Sequence, residues 1–349
     1  MRRISPLKVI YRKMGKVTLK DVAKAANVSF TTVSRALSGN PEISKETRER
    51  ILKISEEMGY TTNYIARSMI KKKTELIGLI VPSIDNPFMS ELAYYVEVTA
   101  RRFGYNLILC NSYPDLNQEL KAMQLMVGHQ VDGVLVIPQK SASCGNLMKY
   151  ASMLPTVYLS ENLRDQDASY ISVDNHQGTM LGVEYLHRLG HRNILYFGCR
   201  VGSITHRLRA EGYKQACHDL GLEPKIVYFE SSASSIELGY EMARSELSQR
   251  SDFTAVFAST DSNAIGLMQA ARESGIRIPE DISLLGFDNI RLASLPQIDL
   301  TTVAQPKEEM AVKAVKLLVD KIDHRTSGSS FEIIKPELIE RGSCRNCSV

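Results

Sequence analysis

From residue 76 onward the chain repeats one device, a short and almost wholly apolar run followed by an amphipathic stretch. Nine such runs stand out: LIGLIVP, YNLILCN, GVLVIP, PTVYLS, YISVD, NILYFG, KIVYFE, TAVFAS and DISLLGF. A strand with one wet face alternates apolar and polar side chains. Runs without that alternation predict strands covered on both faces, and hence parallel sheets with crossover helices. Nine strands in about 210 residues are too many for one small sheet. They fall into two groups that break near Ser160 to Gln166, which predicts two doubly wound subdomains facing each other across a cleft. The chain is expected to cross between them again near Ile290 and near Asp320.

Ligands of such sheets sit beyond the carboxyl ends of the strands. After the first run, Asn86 can cap a helix that Pro87 opens, and Phe88 offers a flat apolar face to a sugar ring. After NILYFG comes RVGSITHRLRAEGY, with Arg209 three residues before Gly212; FASTD ends in Asp261, and LLGFDN ends in Asp288 and Asn289. An arginine and an acid projecting into one cleft can grip vicinal hydroxyls or a small anion through charge-assisted hydrogen bonds. Asp-Asn after a strand is equally a turn device, and the residues alone leave both readings open.

Charge separates the first fifth of the chain from the rest. Residues 1–74 hold 17 Lys and Arg against 6 Asp and Glu, and the remainder holds 26 against 33. A compact basic end is the electrostatic footprint of a nucleic-acid-binding head, because each neutralised phosphate releases counterions; a solvated charged face is the alternative.

Inside that basic end, VTLKDVAKAANVSFTTVSRAL predicts two short helices at a sharp turn. Thr18 can cap the first, with Asp21 in its first turn, and Leu19, Val22, Ala23 and Ala26 share a face. Asn27 tolerates the left-handed backbone of a tight turn, and Ser29 can cap the second helix, Phe30 to Leu37. Val33, Ala36 and Leu37 then point inward, which leaves Phe30, Thr31, Thr32, Ser34 and Arg35 on the outer side. This is helix-turn-helix geometry, in which the second helix enters the major groove. A third helix, Ser44 to Met58, brings Ile51, Leu52 and Ile54 to close a small core, and Gly59 ends it.

The stretch VTLKDVAKAANVSFTTVSRALSGNPEISKETRERILKISEEMGY, followed by NYIARSM and, far downstream, by ELIERGS, resembles the lactose-repressor/galactose-repressor family of bacterial transcription regulators over about 330 residues. The resemblance implies a homodimer whose two heads bind pseudo-palindromic double-stranded operator DNA, and a body that binds a small effector of carbohydrate type. It assigns base-edge contact mainly to Phe30, Thr31 and Arg35, with Thr18, Ser29, Thr32 and Thr47 better placed for phosphates. Phe30 stands where hydrogen-bonding residues are common, which suits contact with a thymine methyl, and Arg35 suits a guanine. In TTNYIARSMIKKK, Asn63 can cap a hinge helix that carries Arg67, Ala66 permits close approach across a two-fold axis, and Met69 is an apolar tip that could wedge between minor-groove base pairs. The family usually has leucine there, and proline where this chain has Thr62. The resemblance also makes Arg209 and Asp288 effector contacts, with Ser203, Asp261 and Asn175 beside them. Ser160-Glu161 stands where many relatives place an acid followed by a base, so Ser160 joins the expected effector set.

The expected organisation is a basic extension at 1–16, an all-α helix-turn-helix domain at 17–62, a hinge at 63–74, a periplasmic-binding-protein-like α/β body at 75–343 and a tail at 344–349. Within the body one subdomain is expected at 75–161 and 291–321, the other at 162–290 and 322–343. No tail of heptads follows Arg341, which favours a dimer over a tetramer. Six scattered cysteines, no export signal and no apolar run of membrane length predict a cytoplasmic protein. Cys344 and Cys347 supply two thiols where a structural zinc takes four ligands, so a free tail is expected; His187 and His191, four apart on a helix, lack the glutamate of a zincin. No catalytic residue, metal or cofactor is predicted. The expected function is a DNA-binding repressor controlled by an effector in the cleft; a family member controlled by a partner protein and a sugar-binding protein are the alternatives.

Overall fold

The computed structural model describes residues 17–37, 40–60, 73–113, 115–138, 147, 149–150, 153–160, 163, 167–200, 202–229, 235–248, 253–326 and 328–347, with the backbone alone for Cys199 and Arg200. Two compact units divide the chain, residues 1–74 and 75–349. The expected hinge residues Asn63, Ala66, Arg67 and Met69, the extension at 1–16, and Glu161 lie outside the described residues.

In the first unit α1 (Leu19–Ala25), α2 (Phe30–Leu37) and α3 (Lys45–Glu57) close around Val22, Ala23, Ala26, Val33, Ala36 and Ile51. The small residues let α1 and α2 approach closely at the turn, where Asn27 takes φ 50°. Leu37 and Ile54 pack against this core as expected, but Leu52 does not, being 47% exposed. Ser55 takes its place. One helical turn beyond Ile51, Ser55 falls on the same face and is buried with its hydroxyl donating to the Ile51 carbonyl at 2.8 Å.

The second unit runs β1 (Leu76–Val81), α4 (Pro87–Arg102), β2 (Asn106–Asn111), α5 (Leu116–Gly128), β3 (Gly133–Val136), β4 (Thr156–Leu159), β5 (Tyr170–Val173), α6 (Asn175–Arg188), β6 (Ile194–Arg200), α7 (Ile204–Asp219), β7 (Lys225–Phe229), α8 (Ile236–Ser248), β8 (Ala255–Ala258), α9 (Asp261–Glu273) and β9 (Ser283–Asp288). A 3-10 turn (Arg291–Ser294), β10 (Thr301–Ala304), α10 (Lys307–Ile322), β11 (Phe331–Ile334) and β12 (Glu337–Ile339) complete it. Strands β1, β3, β4, β5, β8 and β9 carry almost no exposed residue, which is what unalternating apolar runs require. The first sheet has the order β11-β5-β4-β3-β1-β2 and is parallel throughout. The second has the order β12-β10-β9-β8-β6-β7 and is parallel except where β12 runs against β10.

The sheets correct the expected subdomain boundaries at every crossing. Strand β5 pairs with β4, so the first crossing follows Val173 and not Ser160 to Gln166. Strand β10 stays beside β9 in the second sheet, so the chain returns at Gln305 and Pro306 and not near Ile290. Helix α10 packs on α4, β3, β4 and β5 in the first lobe; β11 extends that sheet, and the last crossing falls at Lys335 and Pro336 and not near Asp320. An apolar run marks a buried strand only where every residue is apolar. Thr301-Thr302-Val303-Ala304 is fully buried yet half threonine, and β11 and β12 are short and partly exposed edge strands.

Two smaller expectations also change. Helix α6 ends at Arg188, so His191 is not on it; it is a buried tether between Thr254 Oγ1 at 2.9 Å and Ser283 Oγ at 3.0 Å. Residues 344–347 are docked, not free. Cys344 Sγ donates to the Leu284 carbonyl at 3.1 Å, the Arg345 N–H donates to Ser283 Oγ at 3.0 Å, and the Cys347 N–H reaches the Leu189 carbonyl at 2.7 Å. Burial pushes the Cys344 thiol up to about 12, which leaves it an inert packing group at neutral pH. Among the described residues no helix is long and apolar enough to cross a membrane.

Candidate functional site

The polar residues of the first unit gather at helix starts and on one helix face. Thr18 and Asp21 form a reciprocal cap: the Thr18 N–H donates to Asp21 Oδ2 at 2.8 Å and the Asp21 N–H donates to Thr18 Oγ1 at 3.4 Å. Ser29 Oγ accepts the Thr32 N–H at 3.1 Å and lies 2.8 Å from Thr32 Oγ1. Ser44 caps α3 through the Thr47 N–H at 3.3 Å, and its hydroxyl donates to Thr47 Oγ1 at 2.8 Å. Ser29 and Thr47 therefore stand beside N–H groups at the positive ends of two helices, a setting that favours anions such as phosphate. On α2, Phe30 is 49% exposed, Thr31 is exposed and Ser34 half-buried. Arg35 leans toward the α2–α3 connection, where Nη1 donates to Glu42 Oε2 at 2.9 Å. Both partners are largely solvated, so this surface pair holds Arg35 by no more than about 1 kcal/mol and a base edge can displace it.

In the second unit the predicted cleft residues come from five elements at the carboxyl ends of strands. Gly212 makes the arrangement accessible. A Cβ there would stand 2.3 Å from the His176 carbonyl, so only glycine lets α7 lie against the start of α6. That approach carries Arg209 to Asn175, whose Oδ1 accepts the Arg209 Nε–H at 2.8 Å. Arg209 Nη1 donates to the Ser259 carbonyl at 2.5 Å, Nη2 reaches Asp288 Oδ1 at a longer 3.4 Å, and the guanidinium stacks over Phe287 at 3.6 Å from the ring centroid. Gln305 Nε2 donates to the same Asp288 Oδ1 at 2.7 Å. The cluster is closed to water, with Arg209 and Asn175 each 2% exposed and Asp288 5%.

Asp261 belongs to the same neighbourhood but faces the backbone. Its Oδ1 accepts from Thr302 Oγ1 at 2.6 Å and its Oδ2 from the Ile290 N–H at 2.9 Å, which fixes the chain after β9 to the start of α9. Complete burial, reinforced by the neighbouring Asp288 charge, pushes the Asp261 carboxyl up to about 7. Burial pushes Asp288 up as well, against the opposing pull of Arg209. Ser160, the residue after β4, has φ 70°, and its carbonyl accepts from Thr205 Oγ1 at 3.0 Å, so the two lobes touch there. Ser203 caps α7 through the His206 N–H at 3.3 Å. Phe88, held by the Asn86 cap in the first turn of α4, is 4% exposed and lies 5.9 Å from the Lys307 ammonium.

The structure thus brings Arg209, Asn175 and Asp288 into contact, sets Asp261 next to them as a backbone anchor, and puts Ser160 and Ser203 near the lobe contact. Sequence reasoning missed Ser259, Phe287, Gln305, Lys307 and Glu91. Ser259 acts through its carbonyl, and Gln305 and Lys307 follow a strand that the apolar criterion passed over. The open groove beside the cluster, about 720 Å³, is lined by Glu91, Asn289, Gln305, Lys307 and Arg341 and not by Arg209.

A helix-turn-helix unit joined to a two-lobed parallel α/β body with a buried polar cluster between its sheets defines a DNA-binding transcription regulator. The chain belongs to the LacI family of bacterial regulatory proteins. Residues 18–63 match that family and residues 183–344 match the periplasmic binding protein-like domain. Catabolite control protein A of Priestia megaterium is 33% identical over 316 residues, 90% of this chain and 95% of that protein. The HTH-type transcriptional repressor CytR of Escherichia coli K12 is 33% identical over 331 residues, 94% and 96%. The lac repressor dimer bound to operator and the anti-inducer ONPF superposes with a TM-score of 0.84 at 25% identity, over 94% of this chain and 99% of that one. These relatives are regulators of transcription and not enzymes.

Proposed function

We propose that this chain is a homodimeric repressor whose affinity for a pseudo-palindromic operator is set by a small uncharged polyol, of carbohydrate type, bound between the lobes. The observation that carries the effector half is the Arg209–Asn175–Asp288 cluster, buried at the carboxyl ends of strands where α/β folds hold ligands. Arg209 links the cluster by hydrogen bonds to both other side chains, and its 3.4 Å contact with Asp288 is the weakest member. Vicinal hydroxyls can take its place, each donating to the carboxylate and accepting from the guanidinium. Phe88 supplies the apolar wall.

The DNA half rests on the exposed outer set of α2 and the helix starts at Ser29 and Thr47. The lac repressor was solved as a dimer on operator with an anti-inducer, and the same division of labour is proposed here. Effector binding shifts lobe closure by its differential affinity for the two arrangements, and closure sets the spacing of the paired hinges that carry Met69. The hinge contact is tested by titrating the intact chain and Met69→Gly against one operator fragment; equal affinity removes the wedge. The effector is tested by a thermal-shift screen over sugars, sugar phosphates and nucleobases. A sugar is expected to raise the melting temperature of the intact chain and not of Arg209→Met, and a screen in which no sugar does so overturns the assignment.

A further inference from the structure

Glu91 and Lys307 belong to the first lobe, one in the first turns of α4 and the other opening α10, yet their polar atoms are engaged by the second. Lys307 is 8% exposed, and its Nζ donates to the Asn289 carbonyl at 2.6 Å and to the Asp288 carbonyl at 3.0 Å. Glu91 Oε1 accepts the Arg291 N–H at 2.8 Å, and Glu91 Oε2 lies 3.4 Å from the ammonium. One ion pair, its lysine buried and its glutamate only 12% exposed, therefore grips a four-residue strap, the cation taking two carbonyls and the carboxylate taking an N–H.

The strap is shaped for that grip. Asp288 and Asn289 both have positive φ, 123° and 51°, a conformation that L residues adopt at a cost, of the order of 1–3 kcal/mol each, when their surroundings hold them there. On its other side the strap is tied to the second lobe: Asp261 holds the Ile290 N–H, and Arg341 Nη2 donates to Asn289 Oδ1 at 2.8 Å. Asp288, the first residue of the strap, is also the carboxylate that Arg209 and Gln305 contact.

We infer that the Glu91–Lys307 pair is an inter-lobe clasp, which fixes the strap Asp288 to Arg291 against the first lobe and thereby both holds the closed arrangement and presents the Asp288 carboxylate to the effector. The pair adds little to net stability, because the desolvation of a buried ammonium and a largely shielded carboxylate offsets their attraction. Its consequence is positional. Loss of the clasp frees the strap locally and leaves the two sheets intact.

The inference deepens the effector reading and rests on it only for the link to DNA, so the test reads the two separately. In the full chain, amide hydrogen exchange is followed at Asn289 to Leu292 in Lys307→Met, in Glu91→Gln and in the double variant. Lys307→Met fills the space with an apolar chain of similar length, and Glu91→Gln keeps an acceptor for Arg291, so the second reads the clasp even where the first folds poorly. Each single variant is expected to speed exchange of the strap about tenfold with β8 and β9 unchanged, and the double variant to go no faster than the quicker single. Unchanged strap exchange in the singles overturns the clasp, and so does full additivity, which marks two independent contacts. Operator affinity is measured on the same samples. A freed strap with unaltered operator affinity supports the clasp and refutes the coupling of lobe closure to DNA.

Discussion

The Arg209 guanidinium stacks on Phe287, 3.6 Å from the ring centroid, and at its far end meets the Asp288 carboxylate that continues the same strand. Replacing Arg209 by methionine keeps the stack and removes the charge, leaving Asp288 buried with Gln305 as its remaining side-chain partner. Breaking a buried pair from one side costs about 3–5 kcal/mol. The expected result is a melting temperature lowered by several degrees, together with loss of the effector response. Arg209→Lys is not an adequate replacement, since an ammonium cannot serve Asn175, Ser259 and Asp288 as a planar fork does.

Asp261 gives the body a pH dependence of definite sign. Its carboxyl ionises near 3.8 when the chain is unfolded and stays protonated to about pH 7 when folded, so folding takes up a proton between those limits. The contribution is present in full below about pH 4 and is lost as pH rises toward 7. Asp261→Asn keeps an oxygen for the Ile290 N–H and removes the titration. Melting curves from pH 5 to 8 are expected to show the variant gaining on the parent as pH rises. Parallel curves contradict this.

On DNA, the outer face of α2 and the helix starts are expected to behave differently under substitution. Arg35→Ala costs about 1–3 kcal/mol on the preferred operator and relaxes preference at one base position. Thr47→Ala weakens all sequences alike, because a phosphate contact orients without choosing. Glu42→Ala removes one partner of Arg35 and a negative charge from the head, so it strengthens binding modestly, most visibly at low salt. Anisotropy titrations on matched and base-substituted duplexes separate the three.

Much of this was legible in the sequence, and the failures have physical causes. Helix starts were readable because Thr18, Ser29, Ser44 and Asn86 act locally, through backbone groups two or three residues away. Buried strands were readable where every residue is apolar. Subdomain membership was not, since the crossings at Asp174, Gln305 and Pro336 depend on which neighbour a strand pairs with, and Tyr170 to Val173 would suit either sheet. The same holds for the polar cluster. Arg209 and Asp288 could be nominated, but their partner Ser259 contributes a carbonyl, which carries no residue-type signal, and Lys307 is remarkable only for being buried. Asp261 shows the opposite failure, a carboxylate of the right type in the right place whose oxygens face Thr302 and the Ile290 backbone.

Paired heads that read duplex sequence are tested most directly by selection from a random duplex pool with the full chain. At moderate salt the enriched sequences are expected to contain two inverted half-sites at fixed spacing, with Arg35→Ala losing preference at one symmetric pair of positions and retaining the rest. Recovery of unrelated sequences whose retention depends on ionic strength alone, for parent and variant alike, would contradict it.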